Sequence, residues 1–154
     1  MKKLIALMLC LIMAVSLAGC GTTNKEGSGK GGVDVGIVLP TKDEPRWLQD
    51  EKSFKDAIGK TDYSTEVLFS QGNSATEKTN VETLINKGMK VLIICAQDAT
   101  AAAASVDAAN KAGVKVISYD RLITDTDKLD YYVTFDSVAV GEAMGQYLVD
   151  NASG

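Results

Sequence analysis

Five short apolar runs recur along this chain, and helical patterns fill most of the gaps between them. That rhythm constrains the fold more than any other feature. Val33 to Leu39 is the first run, closed by Pro40. Thr65 to Phe69, Val91 to Cys95, the run carrying Val114, Val116 and Ile117, and Tyr131 to Phe135 follow. Short, β-branched and nearly unbroken, they read as strands buried on both faces of a sheet. Arg46 to Ile58 reads as a helix with Trp47, Phe54 and Ile58 on one face and Gly59 as its stop. Ser74 to Lys87 places Val81, Leu84 and Ile85 at helical spacing before Gly88. Thr100 to Ala112 is a small-residue helix packing through Ala102, Val106 and Ala109, ended by Gly113. Val138 to Val149 aligns Val140, Met144 and Leu148. Strands alternating with helices across short links predict an α/β domain, a three-layer architecture on an open, mostly parallel sheet. The exception is Leu122 to Asp130, with Asp125, Asp127 and Asp130 and no helical face, expected as a surface excursion.

In such a sheet the connections that follow the strands leave one edge, and that edge is where ligands bind. Thr41, Lys42, Arg46 and Trp47 follow the first strand; Gln71 and Asn73 follow the second. Gln97 and Asp98 follow the third, Asp120 and Arg121 the fourth, Asp136 the fifth. The fourth is the most telling. Tyr119-Asp120-Arg121 sets an acid beside a base directly after a buried strand, costly unless the backbone emerges into a water-filled crevice. Some of these polar residues also have structural readings. Asp98 and Ser74 stand where helix caps belong, Asp136 serves equally as cap or ligand, Trp47 suits a core, and Lys42 suits solvent.

Several chemistries are excluded by what is missing. Leu-Pro-Thr-Lys-Asp-Glu-Pro after the first strand is not a glycine-rich dinucleotide fingerprint, and no P-loop occurs. Directly after the first strand, where phosphoryl acceptance wants an acidic pair, the chain offers Thr41-Lys42. The sequence contains no histidine, so the commonest general base and metal ligand are both missing. With no activated nucleophile or metal cluster either, no catalytic constellation and no cofactor are expected. A neutral polyol fits what remains. Sugar hydroxyls donate and accept, so a carboxylate can take two of them, an arginine can donate to others, and an aromatic face can cover the C–H side of a ring. Asp120, Arg121, Arg46, Asp136 and Trp47 make such a set.

The N-terminus reads as an address. Lys2 and Lys3 precede an apolar run from Leu4 to Ser16, shorter than the roughly 20 residues of a membrane span. Leu17-Ala18-Gly19-Cys20 resembles the lipobox of bacterial lipoproteins, which implies removal of residues 1–19 and a lipid on Cys20. Cys10 then leaves with the signal, and Cys95 remains alone in a buried strand, so neither a disulfide nor a metal site is expected. Residues 21–32, rich in Gly, Ser, Thr, Asn and Lys, read as a flexible tether. Losing Lys2 and Lys3 takes the formal charge from −4 to −6, against a nucleic-acid partner.

Pro40-Thr41-Lys42 through Arg46-Trp47, the segment from Val114 to Ile123, and Tyr131-Tyr-Val-Thr-Phe-Asp136 resemble the sugar-binding lipoproteins of ABC importers. The xylose-binding and multiple-sugar-binding branch is the nearest match, and the resemblance runs from Val33 to Asp150. It implies one lobe of a type I periplasmic-binding-protein fold, with sugar contacts from Arg46, Asp120, Arg121 and Asp136, Trp47 nearby, and Lys42 and Asp98 at further contact positions. It also implies an extracytoplasmic, lipid-anchored receptor that takes a monosaccharide such as xylose and works with ABC permease subunits. A sensor lobe presenting sugar to a membrane histidine kinase is the alternative. The chain departs from the family at Ser137, where Asn is usual. The family has two lobes joined by crossing strands, so residues 33–136 correspond to the N-terminal lobe and 137–154 to the first helix of a second. On this resemblance the chain is expected to be a fragment or a split gene product.

Overall fold

The first strand of the computed structural model, which describes residues 32–152, lies in the middle of its sheet. The elements in order are β1 (Val35–Leu39), α1 (Pro45–Ile58), β2 (Thr65–Phe69), α2 (Ser74–Asn86), β3 (Val91–Ile94), α3 (Ala103–Lys111), β4 (Lys115–Tyr119), β5 (Tyr131–Val133) and α4 (Ser137–Asn151). The sheet order is β2-β1-β3-β4-β5, and each neighbouring pair is parallel. From β1 the chain steps one way to β2 and then returns across to β3 and β4. Right-handed crossovers in opposite directions put their helices on opposite faces. α1 therefore packs on one face, α2 and α3 on the other, and the α/β expectation holds.

β1, β3 and β4 are covered on both faces, as their apolar runs predict. β2 at one edge is mostly half-buried, and β5 at the other is exposed at all three of its residues, unlike the buried strand its run predicts. On the α1 side Ile37, Leu39, Trp47, Phe69 and Cys95 form one core, with Phe54, Ile58 and Tyr119 against it. Across the sheet Val38, Leu92, Ile94 and Val116 meet Val81 and Leu84 of α2 and Val106 and Ala109 of α3. Successive residues of β1 alternate between these cores, the two-residue period of a strand. At Gly36 the period leaves no room: an added Cβ would stand 2.6 Å from Met89 Sδ and 2.9 Å from Leu84 Cδ1.

Element boundaries differ from expectation where local hydrogen bonds decide them. β1 starts at Val35, because Asp34 is tied to Ser64 through both main chain and side chain. Ser74 is not a cap. Asn73 holds that position, its side-chain oxygen accepting the Ala75 and Thr76 N–H groups at 2.8 and 3.0 Å. Residues 99–102 form turns rather than the start of α3. The Leu122 to Asp130 segment is not wholly a surface excursion. Ile123 is buried in the α2/α3 core, and Asp130 accepts the Val116 N–H and pairs with Lys115. Those ties return the chain to the bottom of β4 without a helix, so that β5 can pair in parallel.

α4 packs differently. It has no buried residue, and Val140, Met144 and Leu148, the line read from sequence, are all exposed.

Candidate functional site

The strand order reverses about β1 and β3, and the crevice beyond their carboxyl ends is the topological switch point of this sheet. Pro45 opens α1, its ring suited to a first helical position that needs no N–H. Arg46 and Trp47 consequently fall in the first turn, just beyond β1. Trp47 is only 2% exposed and forms part of the core under the crevice. Two cations lie by its ring: the Arg46 guanidinium carbon is 4.5 Å from the centroid and that of Arg121 is 5.5 Å. Such contacts hold a guanidinium in place without using all its donors.

Asp120 reaches the same place from β4. Its carboxylate Oδ1 accepts from Arg46 Nη2 at 2.6 Å, with the Asp120 side chain 12% exposed and that of Arg46 47%. The Asp120 backbone is left-handed, with φ of 64°, a conformation that Asp tolerates better than most residues. Neighbours enforce it. The Asp120 N–H donates to Val133 O at 2.8 Å, and its carbonyl accepts from the Tyr132 hydroxyl and Thr134 Oγ1, each at 3.2 Å. Ser118 Oγ donates to Arg121 O at 2.6 Å and closes the turn. Arg121 then points back across the crevice, and its Nη1 donates to Ala96 O after β3 at 3.1 Å.

Two further residues hold Arg46, and the sequence reading missed them. Its Nε lies 3.7 Å from Asp50 Oδ2, which accepts from the Tyr119 hydroxyl at 3.1 Å. Tyr119 is itself set edge-on against Phe54, with centroids 5.2 Å apart. The Asp120 hydrogen bond, aided by both acids, raises the Arg46 pKa, while burial and then Asp50 push the Tyr119 phenol up. The i,i+4 spacing of Arg46 and Asp50 was the available signal. Glu77 was missed as well. It is 1% exposed and its Oε2 accepts the Gln97 N–H at 2.7 Å. In sequence it is one more acid in a polar helical stretch.

The other expected residues stand apart from this cluster. Asp98 caps the turn before α3, accepting from the Thr100 and Ala101 N–H groups and Thr100 Oγ1, which holds its carboxyl below the usual range. Asp136 accepts the Ala139 N–H at 3.0 Å and so caps α4. Lys42 is exposed but not simply solvated, since its ammonium lies 4.9 Å from the Phe69 centroid. Cys95 is fully buried, and that burial pushes its thiol up to about 12. Cys20, with the signal and most of the tether, lies outside the described residues.

This is the architecture of an α/β binding-protein lobe, with a charged cluster at the crevice edge. The chain belongs to the periplasmic binding protein domain family, whose model matches residues 35–154. It is 38% identical over 116 residues to the multiple sugar-binding periplasmic protein of Azospirillum brasilense, covering 75% of this chain and 32% of that one. Identity to the D-xylose-binding periplasmic protein of Escherichia coli is 32% over 118 residues, 77% of this chain and 36% of that protein. Among solved structures, a carbohydrate transporter solute binding protein of Chloroflexus aurantiacus in complex with D-glucose is 68% identical. It superposes with a TM-score of 0.74 over 79% of this chain and 36% of that one. The chain thus spans about a third of the length of these relatives. The proteins so named are binding proteins, not enzymes.

Proposed function

We propose that the protein is the sugar-binding component of an ABC importer, taking an aldose such as xylose at the crevice edge. One observation carries the reading: the Arg46–Asp120 pair at 2.6 Å, beside a Trp47 ring flanked by a second arginine, at the switch point of the sheet. In this reading Asp120 accepts from sugar hydroxyls, and Arg46 and Arg121 donate. Trp47 supports the arginines from below, because at 2% exposure it offers a ligand little open face. Asp136, at the start of α4, adds an acceptor; Lys42 and Asp98 lie at the rim. The names of the relatives support a sugar ligand in general and leave xylose as the finer proposal.

The same proposal extends to the ends of the chain. Residues 1–19 act as a signal peptide, Cys20 carries the lipid at an extracytoplasmic membrane surface, and 20–32 tether residues 33–136, the sugar lobe. Residues 137–154 begin a second lobe that covers the apolar side of α4. A Cys20→Ala protein should lose membrane partitioning, and unchanged partitioning with an unmodified N-terminus refutes the anchor. For the ligand, the test is titration with xylose, arabinose, ribose, glucose and galactose, read by the emission of Trp47. Tight sites bury roughly 70–90% of a ligand, and a single lobe covers one face, so saturation is expected only near millimolar sugar. Asp120→Ala should abolish it. No saturable response to any of the five, or an unchanged response in Asp120→Ala, overturns the assignment.

A further inference from the structure

Glu77 is a buried carboxylate for which the proposed sugar contacts have no use. It sits in the first turn of α2, and among the described residues it is the one carboxylate removed almost wholly from water. A carboxylate there is retained only with strong partners. Its partner, the Gln97 N–H, belongs to the same peptide unit as the Ala96 carbonyl. That carbonyl accepts from Arg121 Nη1 at 3.1 Å, while the N–H donates to Glu77 Oε2 at 2.7 Å. In a trans peptide the N–H and C=O point in opposite directions. An anion therefore grips one edge of the unit and a cation the other, each facing the end of the peptide dipole that attracts it. Ala96 and Glu77 are each 1% exposed, so the acid and the carbonyl are shielded from water, while Gln97 and Arg121 are half-buried. In such surroundings each hydrogen bond polarises the next.

We infer that Glu77 is a positioning residue for the sugar site, fixing the Arg121 guanidinium against Trp47 through the Ala96–Gln97 peptide. Its effect on binding rests on the sugar reading above; its link to Arg121 does not. Glu77 attracts Arg121 electrostatically, and Arg121 in turn counters part of the penalty that burial places on the Glu77 carboxylate. An acid that merely filled space in α2 would affect stability and leave Trp47 unchanged.

Trp47 is the chain's one tryptophan, so its emission reads the neighbouring guanidinium directly. Glu77→Leu removes charge and acceptor together, whereas Glu77→Gln keeps an acceptor oxygen for the Gln97 N–H. Glu77→Leu should shift Trp47 emission in the same direction as Arg121→Ala, and the double variant should shift no further than Arg121→Ala alone. Glu77→Gln should stay near the wild-type spectrum. Where wild type binds a sugar, Glu77→Leu should weaken it about tenfold and Glu77→Gln less than about threefold. If Glu77→Leu does not fold, the Gln97 amide proton decides the matter by NMR in Arg121→Ala: loss of the polarising cation should move it upfield. A folded Glu77→Leu with wild-type emission, shifts that add in full in the double variant, or a Gln97 amide unmoved by Arg121→Ala overturns the inference. A wild type that binds no sugar refutes the sugar reading alone, since the emission and amide measurements still decide the role of Glu77.

Discussion

Replacing Asp120 tests two separable effects, the ion pair with Arg46 and the left-handed backbone. An exposed ion pair contributes about 0.2–1 kcal/mol, and a hydrogen bond to a charged group about 1.5–3 kcal/mol. The Asp120 end is 12% exposed but the Arg46 end is 47% exposed, so screening by water holds the pair near the lower range, about 1 kcal/mol. At φ of 64° an alanine pays about 1–2 kcal/mol, which Asp and Asn partly escape and Gly escapes altogether. Asp120→Asn is therefore expected to cost about 1 kcal/mol, by loss of charge alone. Asp120→Gly loses the pair but relaxes the backbone, offset by the entropy of the unfolded glycine, for about 1 kcal/mol again. Asp120→Ala loses on both counts, about 2 kcal/mol. Thermal melts of sugar-free protein separate these, since for a domain of this size about 1 kcal/mol moves Tm by roughly 4 °C. An Asp120→Ala protein as stable as Asp120→Gly would refute the strain argument. Asp120→Asn with wild-type stability would remove the ion pair from the account.

The remaining predictions concern pH, packing, the thiol and α4. Hydrogen bonds and neighbouring lysines depress the carboxyls of Asp98, Asp107 and Asp130 below their ordinary 3.8, so their contribution is fully present above that value and lost as pH falls through the lower folded values. Glu77 acts with the opposite sign: burial raises its pKa above the ordinary 4.5, and acidification through the raised value favours the folded state. As pH is lowered towards 4.5 urea midpoints should thus rise, with that rise absent in Glu77→Gln, and on further acidification below pH 3.8 they should fall. Gly36→Ala must displace Met89 and the fully buried Leu84. It should cost about 1–3 kcal/mol by urea denaturation, and a neutral result would show that this core yields freely. Cys95 should resist thiol reagents at pH 8 in native protein and react only on unfolding, judged by mapping the modified peptide, because burial pushes its thiol up to about 12. α4 buries no residue, and isolated helices of its length are marginal in water. Hydrogen exchange should therefore be faster over 137–151 than over α2, and equal protection would mean that α4 is covered in solution.

What the sequence determined by itself was everything that follows from period and punctuation. The alternation of runs such as Val91 to Cys95 with helical stretches ended by Gly88 and Gly113 settled the α/β class. The positive φ of both glycines, 80° and 75°, is the conformation those stops require. Residues following β1 and β4 were legible as crevice residues because parallel connections leave one edge, and Arg46, Trp47, Asp120 and Arg121 do meet there. Asp136, read equally as cap or ligand, caps α4, and Asp98, read as a helix cap, caps the turn before α3; both contacts span only a few residues.

Only the tertiary structure decided the contacts that join residues far apart in the chain. Asp50 and Tyr119 are separated by 69 positions, Glu77 and Gln97 by 20, and Arg121 and Ala96 by 25. No periodicity predicts such pairs, because their geometry depends on how α1, α2 and the strand ends come together. The same holds for α4. Its line of Val140, Met144 and Leu148 reads as a buried face in sequence, yet burial belongs to a helix and whatever packs on it, and nothing among the described residues covers it. Sequence supplies one side of a contact, and the fold determines whether there is another.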